Sequence, residues 1–386
     1  MVDDVLGMAA CGDASIELNA LINAKMENKK LRLSKDKCCK VHICKKAEKC
    51  TQILKVHGDD MKSDSKMTYL GDVLSANGTI DETIIQRGQK SEGIITQISS
   101  ILSSIHLGSF HFDIAMVLRN AQFVNSVMTN SEIWHNVKTR NIEALEKYDL
   151  SLLRKMLNAH SKTATEAFFI ELGILPLRFT LSKRRLMYLW TLVHRDTEEI
   201  NWKVYEAQKI KCNKGDWYEI ITEERIKNLI TQTDDEIALM SRERFRCIVD
   251  LKVKCSAIKY LNELAEPHSK SELIVTDEFE RKEYFTDRRF TKEEVQMLFA
   301  LRTKMTNCKS NYKRQFDNNL VCRICKDEES EENEDHLLVC PVLADGLVQN
   351  VQFTDVFGTV DAQYNAVQVF KKVLRKRDNY LELNDM

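Results

Sequence analysis

The sequence predicts a mostly α-helical fold, with a small α+β part at the N-terminus and a small cysteine–histidine module near the C-terminus. Three observations predict this class. Only 3 prolines and 12 glycines occur in 386 residues, and both residue types interrupt helices. From about residue 79 onward, apolar residues recur with the helical period. Strand-like segments are confined to the beginning of the chain.

The composition is that of an ordinary globular chain, with 43% hydrophobic and 30% charged residues. The 57 basic and 58 acidic side chains give a net charge of −1, so any nucleic-acid surface must be a local basic patch. No apolar run is long enough for a transmembrane helix, and no signal peptide is recognisable. With 12 cysteines in a reducing compartment, we expect an intracellular protein, nuclear or cytoplasmic, without a membrane partner.

Strands and one helix alternate at the beginning of the chain. MVDDVLGM is typical of a short strand around Asp3 and Asp4, and a helical pattern follows with Asp13 as a candidate N-cap. LRLS and KVHI favour two more short strands. KMTYLGDVLSANG favours another strand, which the dipeptide Asn77-Gly78 then turns.

Amphipathic helices make up the rest of the chain. Their apolar stripes predict helices over 79–105, 111–135, 139–158, 180–194, 291–305 and 361–377. The helix over 291–305 begins with a capping box, in which Glu294 follows Thr291 by three residues. Residues from about 200 to 290 show only short patterns. The predicted segments are an α+β part (1–75), first helices (76–200), a helical connector (201–305), the module (306–345) and a C-terminal helix (346–386).

The most specific local signal is the spacing C-x2-C-x10-H-x3-C, formed by Cys322, Cys325, His336 and Cys340. Two close pairs separated by a loop suit a tetrahedral zinc ion, because each pair binds one side of the ion. Four protein ligands leave no open position, which indicates structural zinc. The alternative is four buried side chains in a helical core, which so small and polar a segment could not build without a metal.

Charges of opposite sign flank the first cysteine pair. The loop after it carries seven acids that would repel phosphate: Asp327, Glu328, Glu329, Glu331, Glu332, Glu334 and Asp335. The stretch before it is basic and aromatic: Arg302, Lys304, Lys309, Tyr312, Lys313, Arg314 and Phe316. Cations interleaved with aromatic rings are suited to a single-stranded nucleic acid or a hairpin. The alternative is a solvated helix face.

A second cysteine-rich stretch, KCCKVHICKKAEKC, contains Cys38, Cys39, His42, Cys44 and Cys50. No two of these cysteines have the C-x2-C spacing. In a strand, the side chains of two adjacent cysteines point to opposite faces. The sequence therefore favours reduced thiols near a sheet edge over a second metal site.

Asp3 and Asp4 form an adjacent carboxylate pair, and carboxylates are the ligands that Mg²⁺ prefers. The order of motifs around the pair resembles the reverse transcriptases of non-LTR (LINE-like) retrotransposons. In that family an aromatic-x-Asp-Asp box is the catalytic hairpin, and here Met1 stands where the aromatic residue is usual. LRLSKDKCCKVHI is similar to the next palm motif, whose lysine matches Lys37. The resemblance implies that these aspartates and Lys37 are catalytic, with Mg²⁺, in RNA-directed DNA polymerisation.

The resemblance continues through most of the chain, least clearly at about 200–290. KMTYLGDVLSANG, with Tyr69 and Gly71, is similar to the primer grip that joins palm to thumb, and Arg87 lies where the first thumb helix usually carries an arginine. The stretches from RNIEALEKYDL to LMYLWTL are similar to the helices after the thumb, and FALRTKMTNCKSNYKRQF with the cysteine–histidine cluster is similar to a zinc-knuckle end. RNA or an RNA/DNA duplex is the implied partner. The implied contacts are Tyr69, Gly71, Arg87, Arg302, Lys309, Lys313 and Arg314.

Three features depart from the family pattern. The aromatic residue before the aspartates is missing, Cys44 stands where glycine is common, and nothing after Cys340 resembles an endonuclease. In this family the fingers and the first half of the palm precede the aspartate box and supply the other metal-binding aspartate.

We therefore expect that this chain alone does not polymerise DNA, because two-metal chemistry needs every carboxylate ligand held in place. Purified protein is tested by primer extension on an RNA template with Mg²⁺ or Mn²⁺. Template-dependent synthesis would contradict the expectation.

An alternative interpretation is a non-enzymatic helical interaction protein with a structural zinc site. It predicts a large exposed apolar patch where a palm would pack, and hence self-association or a protein partner. A hydrolytic enzyme that uses the aspartates is disfavoured, since the sequence has no nucleophile elbow, phosphate-binding glycine loop or HExxH motif.

Overall fold

The structure is a computed structural model that describes residues 6–9, 12–31, 33–34, 38–43, 53–69, 71–104, 110–135, 137–266, 277–344 and 351–384. Within these residues the protein is mostly helical, with six short strands near its beginning, which confirms the predicted fold class. In this part of the chain, no helix combines the length and the apolar character that crossing a bilayer requires.

The N-terminal part contains one helix and three small two-stranded sheets. The elements are α1 (Gly12–Asn28), β1 (Cys39–Val41), β2 (Lys55–Val56), β3 (Asp59–Asp60), β4 (Lys62–Asp64), β5 (Lys66–Tyr69) and β6 (Asp72–Ser75). Strands β1 and β4 pair in parallel, whereas β2–β3 and β5–β6 are antiparallel. The strand predicted at LRLS is not formed at its described residues 31, 33 and 34, and the one at KVHI begins earlier, at Cys39.

The stretch KMTYLGDVLSANG differs from its prediction, since it forms a hairpin of β5 and β6 and not one strand. The chain reverses at Gly71, whose φ of +85° lies in the left-handed region that favours glycine. Asn77 comes after β6, where its Oδ1 accepts a hydrogen bond from the Thr79 amide at 2.9 Å. Asn77 and Gly78 therefore lead from the hairpin into the first long helix.

Thirteen further α-helices follow in the described part of the chain. They are α2 (Asp81–Ser104), α3 (His111–Leu118), α4 (Asn125–Val127), α5 (Thr139–Leu157), α6 (Thr165–Leu172), α7 (Leu177–Val193), α8 (Ile200–Ile210), α9 (Trp217–Lys227), α10 (Asp234–Ala238), α11 (Arg242–Ala265), α12 (Lys292–Arg302), α13 (Glu334–Val339) and α14 (Val360–Asn384). A π-helical turn over Arg119–Val124 joins α3 to α4. The predicted capping box is confirmed, because Thr291 and Glu294 exchange side-chain to backbone hydrogen bonds at the start of α12.

The long helix α11 lies in the stretch where the sequence pattern was weak. Its buried residues recur about once per turn, as in the series Phe245, Val249, Val253, Ala257 and Leu261. Only one residue per turn of this helix is fully buried, so its sequence shows no broad apolar stripe. The helix is held by packing against α7 and α6 and not by a broad apolar face.

Three clusters of buried side chains hold the helices together. The main core runs from Ile84 of α2 to Phe370 of α14 and includes residues of α5, α6 and α12. A second core lies between α7, α8, α9 and α11. A third cluster surrounds Cys322 and reaches Val373 of α14. Helix α14 therefore contacts both the main core and the cysteine–histidine module.

A buried ion pair joins the helices of the main core. Glu171 of α6 is fully buried, and Arg302 at the end of α12 is 5% exposed. The Arg302 guanidinium donates to both Glu171 oxygens at 2.8 and 2.9 Å, and to the Val356 carbonyl at 2.7 Å. The Tyr284 hydroxyl donates to the same carboxylate at 2.8 Å. The prediction that Arg302 belongs to a nucleic-acid-binding face is therefore wrong, because its charge is used inside the protein.

The chain leaves α6 at Gly173, directly beside this ion pair. Gly173 has a φ of +60°, and a Cβ atom there would lie 2.3 Å from the Arg281 backbone nitrogen. The Lys282 amide also donates to the Glu171 carbonyl at 3.0 Å. Glycine thus lets residues 280–282 pack directly against the end of α6.

We predict that Glu171→Gln destabilises the protein by about 3–5 kcal/mol, because it leaves the Arg302 guanidinium buried without its counter-charge. Urea unfolding followed by circular dichroism measures the free energy of unfolding. The exposed Glu143→Gln is the matched control, with a change expected below about 0.5 kcal/mol. A loss below about 1 kcal/mol for Glu171→Gln would contradict the structural role of the pair.

Candidate metal centre and basic surface

The structure brings the four predicted ligands into one group. One ligand atom from each of Cys322, Cys325, His336 and Cys340 lies within 4.8 Å of the others. The Cys325 Sγ and His336 Nε2 atoms are 3.4 Å apart. Around tetrahedral zinc, two thiolates lie about 3.8 Å apart, and a thiolate and an imidazole nitrogen lie about 3.6 Å apart. A metal ion therefore fits between these side chains, and the grouping predicted from the spacing is confirmed.

Local backbone structure places each ligand pair. Between the first two cysteines, the Ile324 and Cys325 amides point at the Cys322 sulfur, and Lys326 follows with a left-handed φ of +56°. Such a turn supplies backbone donors to a thiolate. Asn333 caps α13 by accepting a hydrogen bond from the His336 amide at 2.7 Å. The histidine therefore lies in the first turn of α13, and Cys340 directly follows the helix.

Burial determines the protonation state of the cluster. Burial raises the pKa of the Cys322 thiol to about 12, so without a metal this thiol is protonated at neutral pH. Burial lowers the pKa of His336, which favours the neutral imidazole that binds metals. A bound dication deprotonates coordinating thiols, so metal binding releases protons and weakens as the pH falls.

Two of the seven acids in the intervening stretch point inward. Glu332 is fully buried and accepts hydrogen bonds from the Arg323 guanidinium at 2.8 and 3.1 Å. Burial acts to raise the pKa of Glu332, but the hydrogen bonds from Arg323 outweigh it and lower the pKa. Glu334 is also buried, and it accepts a hydrogen bond from Asn311 at 2.6 Å and another from Thr306. These two acids hold the module together, and the other five remain exposed.

The module is attached to the helical part through α14. The Arg377 guanidinium donates to the Asn307 carbonyl at 2.9 Å, and Val373 packs in the same cluster as the metal ligands. Cys308 belongs to this cluster too, and burial raises its thiol pKa to about 12. Sequence reasoning missed Cys308, because its spacing to Cys322 is not a ligand spacing.

Three of the predicted basic residues after α12, namely Lys309, Lys313 and Arg314, lie on a short 3-10 helical segment, Lys309–Phe316, packed against the module. Lys313 and Arg314 are exposed, and Lys309 is half-buried with its Nζ atom 5.6 Å from the Phe316 ring centre. Lys162, from the loop after α5, lies with its Nζ atom 6.0 Å from the Tyr312 ring centre. We call the surface formed by Lys162, Lys309, Lys313 and Arg314 the basic surface.

The residues implied as primer-grip and thumb contacts lie elsewhere. Tyr69 is half-buried on β5, and Gly71 is exposed at the hairpin turn. Arg87 is 6% exposed and donates to Asp72 at 2.6 Å and to the Ser126 carbonyl at 2.7 Å. The prediction of a nucleic-acid contact by Arg87 is corrected, since its guanidinium ties the hairpin to the helices and is not presented at the surface.

Several predicted residues lie outside the described part of the chain. They are the candidate catalytic residues Asp3, Asp4 and Lys37, and two cysteines of the second cysteine-rich stretch, Cys44 and Cys50. The other two cysteines of that stretch, Cys38 and Cys39, are half-buried. Burial raises the pKa of the Cys38 thiol, which agrees with a reduced, uncharged side chain.

No protein-family model matches the chain, and neither a curated protein nor a solved structure shows a significant match to it. The resemblance to non-LTR reverse transcriptases therefore stays a prediction from the motifs.

We predict that the purified protein binds one equivalent of zinc through the cluster, and that Cys322→Ser loses most of it. The variant should also melt at a temperature several degrees lower, because metal binding stabilises the module. Zinc is measured by a colorimetric chelator after denaturation, and melting by circular dichroism. Cys212→Ser, which changes an exposed cysteine, is the matched control and should keep its zinc. Equal zinc content in both variants would contradict the proposed ligands.

Proposed function

We propose that this protein is a zinc-stabilised nucleic-acid-binding protein, corresponding to the thumb, connector and zinc-knuckle end of a non-LTR retrotransposon reverse transcriptase. The single observation that carries the proposal is the contact between the metal module and the 3-10 helical segment Lys309–Phe316, which we call the basic segment. The Ser310 amide donates to the Glu332 carbonyl at 3.1 Å, and Asn311 donates to Glu334. The module thereby fixes the backbone that carries three cations of the basic surface.

Zinc is the ion that the ligand set fits best. Three thiolates and one imidazole at tetrahedral spacing are typical of structural zinc sites. Lys309 and Phe316 are the first and last residues of the 3-10 helical segment beside the module. The guanidinium carbon of Arg323 lies 5.2 Å from the centre of the Phe316 ring, and the same guanidinium pairs with buried Glu332. The ion's role in this proposal is to shape the module, since four protein ligands leave no position for a substrate.

The basic surface is suited to the sugar–phosphate backbone of RNA or of an RNA/DNA duplex. Lys313 and Arg314 present their charges to solvent, and Lys162 lies over the ring of the neighbouring residue Tyr312. Cations beside aromatic rings bind phosphate and bases together. The proposal concerns the described residues and includes no catalytic step, because Asp3, Asp4 and Lys37 lie outside them.

A second candidate function, protein interaction, is favoured by apolar side chains on the helices of the second core and the loops between them. Five of them are about two thirds or more exposed: Ile200, Ile210, Ile226, Leu229 and Leu239. A contiguous apolar patch is typical of an interface, whereas single exposed apolar side chains are common on protein surfaces. This candidate function requires the five side chains to act as one surface for self-association or for a partner such as a palm domain.

We predict salt-sensitive binding of single-stranded RNA and of an RNA/DNA duplex. The double variant Lys313→Glu, Arg314→Glu should bind about tenfold or more weakly, and its plot of log K against log salt should be shallower by about 1.4 to 1.8, as two lost phosphate contacts require. Fluorescence anisotropy between 50 and 200 mM salt is the measurement.

The control for this prediction is Lys211→Glu, Lys214→Glu, which makes the same charge change at two other exposed lysines. It should bind like the unmodified protein. A flat salt response, or no binding at the lowest salt, would refute the proposed function. Concentration-dependent self-association in that case would favour the interaction protein instead.

A further inference from the structure

A cavity of about 490 Å³ lies where the basic segment meets the helical part. Its walls come from the end of α5 and the loop after it, from α12, and from the segment Lys309–Phe316. The volume falls within the range of about 300–1,000 Å³ that small-ligand sites occupy. The cavity lies beside the basic surface, because Tyr312 lines the cavity and also contacts Lys162.

The described lining contains no carboxylate, lysine or arginine. Two aromatic rings, those of His160 and Tyr312, meet edge to face with their centres 5.1 Å apart. Side-chain amides line the cavity too, among them Asn158, Gln296 and Gln315. Gln296 is oriented by donating to the Met156 carbonyl at 3.0 Å. A neutral, flat ligand with hydrogen-bonding edges suits such walls.

Thr163 gives an independent indication of a ligand. It lines the cavity, it is only 3% exposed, and its Oγ1 atom has no hydrogen-bond partner among the described residues. A buried hydroxyl without a partner costs free energy, and a ligand that donates to it or accepts from it recovers that cost. Because Oγ1 is itself buried, the Thr163 side chain must rotate about χ1 to present its hydroxyl to a ligand in the cavity, beside the aromatic wall.

We propose that this cavity binds one unpaired nucleobase of a single-stranded RNA whose phosphates lie on the basic surface. This proposal rests on the proposed function and names its substrate feature. The base stacks against Tyr312 and hydrogen-bonds to Thr163, and the adjoining phosphates face Lys162 and Lys309. In a duplex the Watson–Crick edge of a base is paired and both of its faces are stacked, so the cavity selects single strands.

Three variants separate base binding from phosphate binding. Thr163→Val removes the hydroxyl and keeps the shape of the side chain, so it removes an unpaired polar group without opening a void. Tyr312→Leu removes the ring. Tyr312→Phe keeps the ring and removes only the hydroxyl, which donates to the Met305 carbonyl at 3.2 Å, and it is the matched control.

The experiment uses the full chain and three probes of equal length: eight-nucleotide oligo(A), oligo(U), and an abasic ribose-phosphate strand of the same charge. Anisotropy at fixed salt should show that at least one base-containing strand binds about tenfold more tightly than the abasic strand, as one stacked base provides. Thr163→Val and Tyr312→Leu should reduce this ratio towards one, while their affinity for the abasic strand and their salt dependence stay unchanged. Tyr312→Phe should keep the ratio.

Equal binding of the base-containing and abasic strands, or unchanged ratios in Thr163→Val and Tyr312→Leu, would overturn the base site while salt-sensitive binding upholds the proposed function. If no strand binds at low salt, titration with AMP and UMP distinguishes the two failures. Saturable binding of a mononucleotide that Thr163→Val weakens would show a site for free nucleotides. That result would refute the proposed function, and it would also show that the bound base does not come from an RNA strand. If neither an RNA strand nor a mononucleotide binds, the base site and the proposed function are both overturned.

Discussion

The buried contact between Glu171 and Arg302 is the interaction on which the arrangement of helices and module depends. Burying two charges is unfavourable unless hydrogen bonds satisfy them, and here the guanidinium reaches both carboxylate oxygens and the Val356 carbonyl. Because Val356 lies in the 3-10 turn before α14, the same arginine ties this turn to the end of α12. Helix α14 then carries Phe370 into the main core and Val373 into the metal module. One ion pair thus links the helical body to the metal site.

Inside the module, charge and metal have separate structural roles. The Glu332 carboxylate accepts hydrogen bonds from the Arg323 amide and guanidinium, and Glu334 accepts one from Asn311 of the preceding segment. The ligand cluster closes the loop between the two cysteine pairs. The apolar cluster around the ligands is small and takes part of its surface from α14. Without an ion, buried thiols such as Cys322 stay protonated and hold the loop only by packing. With a metal bound to the ligand cluster, the module's shape would depend on both that metal and the packing of the module against α14.

Local features of the fold could be predicted from the sequence, and features set by distant partners could not. The broad stripes of α2 and α5, the capping box at Thr291 and the spacing of the metal ligands all act within a few turns of chain. Arg302 lies 131 positions along the chain from its partner Glu171. The residues next to Arg302 in the sequence therefore predict a cation on a helix and do not indicate that its side chain is buried. The sequence did not predict α11 for another reason. Only one residue per turn of this helix is fully buried, so its apolar stripe is narrow. The hairpin turn at Gly71 was missed because the Asn77-Gly78 signal was stronger.

The shape of the cavity beside the basic surface depends on both the module and the main core. Its aromatic wall stands on the Lys309–Phe316 segment, whose backbone is held by Thr306 and Asn311 against Glu334 at the start of α13. Helix α13 carries the ligand His336, so the position of the Tyr312 ring depends on the metal cluster even though the ion has no open coordination site. The opposite wall belongs to α5 and α12, which the main core holds rigid. An ion bound to this cluster would therefore influence the width of the cavity without touching it.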